Sequence, residues 1–229
     1  MVTELFVPER KIVVPKPPSY LALDMAFGIG AGATLFDKSR YRSHGSILGA
    51  SWAAGLHGYC LDFNPATPSY VSIPADYDQL DFTSEKFSII ARLLIDDFSA
   101  HSSLYSKGRY NQHGHEIYIR TNGDVAFRTF QTGASQVSSC GAGTISSDTY
   151  TTLGLSRDGE DVYLYKNGVD ATAAHGTHID PLSTSYDFNI GAQWDKAGQP
   201  FRGKIEFFKV FRNIALPASA LLAWHNALA

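Results

Sequence analysis

Carboxylates, imidazoles and aromatic rings recur in this 229-residue chain at spacings that invite chemistry. A retaining glycoside hydrolase needs two carboxyls ~5 Å apart, and a strand supplies them when acids recur at every second residue. Glu160-Asp161 are adjacent, so on a strand they point to opposite faces. Asp76-Tyr77-Asp78 has the period but lies in a loop-like segment after Pro74, and Asp96-Asp97 closes an apolar run. No paired arrangement results, and the chain is expected not to be an enzyme. A Gly-x-Ser-x-Gly elbow is absent, and Gly28-Ile29-Gly30-Ala31-Gly32 lacks the Lys-Ser/Thr of a phosphate loop.

His113-Gly114-His115 would put two imidazoles on one face of an extended strand, with Glu116 adjacent and His101 upstream. Zinc needs further ligands fixed by the fold, so residues 109–115 read as an exposed polar loop. Cys60 and Cys140 read as two separate buried thiols. Sugar binding calls for aromatic platforms flanked by amides and carboxylates. Tyr41, Tyr77, Tyr110 and Trp194 are the candidate platforms, with Trp194 leading because it stands in Gln193-Trp194-Asp195-Lys196. The alternative is that Trp194 covers a sheet edge. Trp52 and Trp224 read as core.

The elements that must position these groups are mostly strands. Strand signals recur every 8–15 residues from position 20 onward, separated by turns. Residues 87–95 (FSIIARLLI) are largely apolar, as a central strand requires. Asn122-Gly123-Asp124, Arg157-Asp158-Gly159 and Asn167-Gly168 read as tight hairpin turns. Residues 201–211 alternate through Ile205 and Phe207. Only residues 217–228 read as helix, with Pro217 in the first turn and Leu221, Leu222, Trp224 and Leu228 as an apolar stripe. Two packed antiparallel sheets with one short C-terminal helix are expected, with Phe87, Ile89, Leu93, Leu155, Leu164, Phe207 and Trp224 in the core.

Residues 1–19 differ. Val7-Pro8, Val14-Pro15 and Pro17-Pro18 favour extended, unpaired backbone. Leu5, Phe6, Val7, Ile12, Val13 and Val14 have no apolar partners of their own. This segment reads either as a leader or as an arm that docks on other protein subunits, copies of the same chain included. Residues 20–229 form the domain. Residues 1–20 show no secretory signal, and no apolar run is long enough for a membrane span. A net charge of -3 argues against general affinity for nucleic acid or anionic membranes.

The turns and strands resemble a known family. Leu61-Asp62-Phe63, Tyr70-Val71-Ser72-Ile73-Pro74, the strand from Phe87-Ser88-Ile89, and Leu155-Ser156-Arg157-Asp158-Gly159 before Val162-Tyr163-Leu164-Tyr165-Lys166-Asn167-Gly168 occur in the right order. Phe201-Arg202-Gly203-Lys204-Ile205-Glu206 and Val210-Phe211-Arg212-Asn213-Ile214-Ala215-Leu216 follow. The pattern is similar to laminin-G-like members of the concanavalin A-like lectin/glucanase superfamily. The resemblance implies an all-β jelly-roll sandwich. It also implies a structural calcium held by Asp24 and Glu206, although Phe207 stands where relatives place a second acid. Such sandwiches serve lectins, adhesion modules, glucanases and capsid parts, so the fold does not fix the role. The expectation is a non-catalytic recognition or assembly module, such as a decoration, tail or shell component of a virus-like particle or other outer-surface assembly. A carbohydrate-binding lectin is the alternative, and a glycoside hydrolase the remote one.

Overall fold

The computed structural model describes residues 19–228. Two eight-stranded antiparallel sheets pack face to face. The first runs in the order β14 (Val169–Asp170), β13 (Asp161–Lys166), β12 (Thr151–Asp158), β7 (Phe87–Ile95), β16 (Gly203–Arg212), β5 (Tyr59–Phe63) and β4 (Ser51–Ala54), with β1 (Leu21–Asp24) pairing β16. The second runs β11 (Ala134–Ser139), β10 (Val125–Gln131), β9 (His113–Ile119), β8 (Ser102–Arg109), β15 (Phe188–Ile190), β6 (Tyr70–Ile73), β3 (Gly45–Leu48) and β2 (Thr34–Leu35). These are the two packed antiparallel sheets that the alternation and turn spacing imply, and the jelly-roll sandwich that the resemblance implies. One helix, α1 (Ala218–Leu228), lies on the outer face of the first sheet.

The apolar run of β7 is explained by its place between β12 and β16, where both faces are covered. Phe87, Ile89, Ala91, Leu93 and Ile95 point into the sandwich, while Ile90 packs outward under α1 with Phe211 and Leu221. Asn167 and Gly168 both adopt positive φ, at 52° and 77°, which is the geometry of a tight hairpin between β13 and β14.

Three expectations need correction. Phe207 and Trp224 are only half-buried and pack against each other on the outer face, with ring centroids 5.8 Å apart. The inward position belongs to Phe208, because the strand pairing slips between Ile205 and Phe207 and leaves Glu206 as an unpaired β-bulge. Residues 109–115 are not an exposed loop: β8 runs to Arg109, β9 begins at His113, and His115 is fully buried. Cys60 and Cys140 are free, buried thiols, as read. Leu5, Phe6, Val7, Ile12, Val13 and Val14 lie outside the described residues.

Candidate functional site on the outer face of the second sheet

Strand register sets one row of polar side chains across the second sheet. Arg128 pairs Glu116, Glu116 pairs Ser106, Ser106 pairs Asn189, and Asn189 pairs Ser72. Residues paired across neighbouring strands share a face, and here the opposite face holds Ile117, Tyr105, Phe188 and Val71 in the core. The row therefore lies on the outer side.

These groups are buried by neighbours and left short of partners. The Glu116 side chain is only 3% exposed, and its Oε1 lies 3.5 Å from Arg128 Nη1, too far for a good hydrogen bond. Oε2 accepts a long bond from Gln193 Nε2 at 3.5 Å. Burial pushes the Glu116 carboxyl up, against the opposing pull of Arg128 and Gln193. Asn189 donates through Nδ2 to the Gln193 carbonyl at 3.1 Å, while its Oδ1 is buried without a partner. Arg128 Nε is likewise unpaired.

Aromatic rings surround this row. Arg128 lies 3.9 Å from the Tyr118 ring centroid and 5.2 Å from that of Tyr110. Tyr110 is nearly half exposed and meets Phe130 edge-on at 5.5 Å. The segment after β15 carries Gln193 and Trp194 over the face, where Arg109 lies over the Trp194 ring at 4.7 Å and Tyr186 meets it edge-to-face at 5.4 Å. Trp194 and Tyr110 thus come to one surface. Tyr77 does not: it is half-buried against the core. Tyr41 lines a separate surface recess with Arg40, Arg212 and Asn213. The polar row itself escaped sequence reasoning because Arg128, Glu116, Ser106 and Asn189 come from four separate strands. Their one shared signal is a polar residue at an outward position of each strand.

His113 and His115 do not form a metal site. His115 turns into the core against Phe82, Phe87 and Phe127, and burial pushes its pKa down to about 3. Among the described residues, no group of three His, Cys, Asp or Glu side chains could hold a metal ion.

Asp24 and Glu206 do line one cavity, of about 280 Å³, on the outer face of the first sheet. Its other groups do not fit calcium. Asp24 is ion-paired with Lys209, which is also held by the rings of Phe207 and Trp224 at 5.2 and 5.3 Å. Glu206 Oε1 accepts the backbone N–H of His57 at 2.5 Å. Arg92 and Lys38 line the same space, so three cations face two acids where calcium needs six to eight oxygens.

A family model described as the concanavalin A-like lectin/glucanases superfamily matches residues 65–220. The chain belongs to that superfamily. Within it, the laminin-G-like hairpin of β12 and β13 and the closing strand β16 both fall inside the matched span. No curated protein sequence matches the chain. The fold is shared with the binding domain of Paraclostridial Mosquitocidal Protein 1 at 13% identity, TM-score 0.72, covering 91% of this chain and 52% of that one. Domain 4 of AbnA, an extracellular GH43 arabinanase from Geobacillus stearothermophilus in complex with arabinotriose, matches at 19% identity, TM-score 0.61, covering 89% of this chain and 97% of that one. Trypanosoma rangeli sialidase in complex with sialic acid matches at 16% identity, TM-score 0.67, with coverages of 94% and 34%. The chain thus spans about half of the toxin binding domain and nearly all of the arabinanase domain. Among the described residues, no helix is long and apolar enough to cross a membrane.

Proposed function

We propose that the chain is a non-catalytic glycan-binding module whose outer second-sheet face holds the saccharide. One observation carries this reading: Glu116 Oε1, Asn189 Oδ1 and Arg128 Nε are buried, lack good hydrogen-bond partners and lie in one row beside Tyr110 and Trp194. Sugar hydroxyls both donate and accept, so they can satisfy a carboxylate, an amide oxygen and a guanidinium together. The flanking rings offer apolar faces to C–H groups of the sugar ring. A binding role is consistent with the arabinanase domain, which is described in complex with arabinotriose. Catalysis has no comparable support, because Glu116 is the only carboxylate in the row. Asp187, which meets the row at Ser72, is tied to Lys196 and Ser72 at 2.7 and 2.8 Å.

A glycan array tests the proposal. Wild type should bind a defined set of saccharides, while Trp194→Ala and Glu116→Gln should each lose at least about tenfold in affinity, or ~1.4 kcal/mol. Tyr41→Ala should bind normally. No binding across the array, or full affinity in both variants, would refute the assignment.

A further inference from the structure

The cavity that fails as a calcium site has the makings of another. Arg92 projects from the outer side of β7 at the centre of the first sheet and is only 3% exposed. Its guanidinium lines the cavity, and among the described residues only the charges of Glu206 and Tyr150 act on it, without a hydrogen bond, although it carries five donors. Burying an unpaired charge is costly, and desolvation accordingly lowers the Arg92 pKa against the pull of Glu206. Glu206 does not reach it: Oε1 is taken by the His57 N–H, and Oε2 is buried with no partner. One wall therefore has donors without an acceptor, and the adjoining wall an acceptor without a donor.

Charge and shape narrow the occupant. Lys209 and Asp24 neutralise each other, which leaves Arg92 and Lys38 against Glu206, one positive charge in excess. The rim carries the half-exposed ring of Tyr59. Gly30 makes room for that ring, because a Cβ there would come within 2.5 Å of it. A volume of about 280 Å³ suits one sugar ring and little more.

We propose that this cavity binds a single hexuronate residue, with Arg92 gripping the carboxylate, Glu206 Oε2 accepting a ring hydroxyl and Tyr59 facing the sugar ring. A guanidinium fork matches a carboxylate two bonds at a time, which neutral sugars cannot exploit. The site lies on the sheet opposite the polar row and does not depend on it.

Titration of the full chain with D-glucuronate, D-glucose and acetate, followed by backbone amide NMR, tests this. Glucuronate should shift amides at 25–28 and 57–59 saturably, and the other two ligands should bind at least tenfold more weakly. Arg92→Met should keep the fold, since apolar replacement of buried charge is often neutral or stabilising, and should lose at least tenfold in glucuronate affinity. Lys38→Gln, an exposed substitution, should weaken binding severalfold and serves if Arg92→Met does not fold. No saturable shift, or equal affinity in the variants, overturns the site. Equal affinity for glucose removes the carboxylate's part, and equal affinity for acetate removes the sugar's. Shifts confined to 109–118 and 189–196 would place uronate on the second sheet instead, overturning the cavity while leaving the glycan-binding proposal standing.

Discussion

Two imidazoles are held uncharged inside the sandwich. His115 sits among phenylalanines with Nδ1 at 3.0 Å from the Tyr105 hydroxyl, and His178 is clasped by Thr129 and Ser138 at 3.0 and 2.9 Å. Burial pushes their pKa values down to about 3 and about 4, against 6.5 for an ordinary histidine. Between pH 6.5 and about 4 the unfolded chain binds protons that the native chain refuses. Their stabilisation is therefore complete above pH 6.5 and falls with pH, by up to about 1.4 kcal/mol per unit for each histidine. Glu116, raised by burial, works in the opposite sense, so the comparison of variants is the informative one. The melting temperature of His115→Phe should fall less steeply from pH 7 to pH 5 than that of wild type. Parallel curves would show that His115 takes up its proton in the native state. At the cavity, Lys209 already stands beside Asp24, so adding EDTA and then millimolar calcium should leave the melting curve unchanged. A calcium-dependent rise would restore the metal site that the resemblance implied. The pair Asp24 and Glu206 was legible from sequence; the lysine three positions beyond Glu206 was present too, but nothing in its spacing tells that it turns back to the carboxylate.

Elements were easier to read than faces. Strands with apolar alternation and turns with Asn-Gly or Asp-Gly appear where expected, because side-chain period and turn chemistry are local. β11 was missed: Ala134–Ser139 is mostly small and polar and pairs along the sheet edge, where burial makes little demand. The phase of β16 was misjudged for a different reason. A bulge adds one residue without altering composition, so a period-2 count is right up to Ile205 and wrong beyond it. Phe208→Ala should cost about 3–5 kcal/mol in urea denaturation, as for a buried phenylalanine, and Phe207→Ala well under half of that. The reverse ranking would return Phe207 to the core. Of the proposed glycan face, the rings Tyr110 and Trp194 were legible from sequence but the polar row was not, since it runs across strands and forms only once the register is fixed.

At the scale of the molecule, Tyr20 is tied to the closing strand by its carbonyl, which accepts the Arg212 N–H at 2.7 Å. The assembly role expected of the arm remains a proposal, because its apolar residues lie outside the described residues. A chain beginning at Tyr20 should melt cooperatively near the wild-type temperature; if it also joins oligomers or particles as the full chain does, the arm has no part in assembly. Failure to fold would instead make residues 1–19 part of the domain.

The bulge at Glu206 carries one more consequence, a genetic one. Losing a residue in mid-strand ordinarily turns every later side chain over. Here Ile205 pairs Leu93 and Phe207 pairs Arg92, the next residue along β7, so an in-frame deletion of codon 206 leaves Phe208 and Val210 facing inward. Deletion of codon 207 also keeps the phase, with Glu206 moving opposite Arg92, but it removes the ring that packs on Trp224; deletion of any codon from 208 to 210 has no such exemption. At the bulge, positions 206 and 207, the gene can thus shorten by three bases and keep the core in phase, and at 206 the loss takes a cavity carboxylate with it.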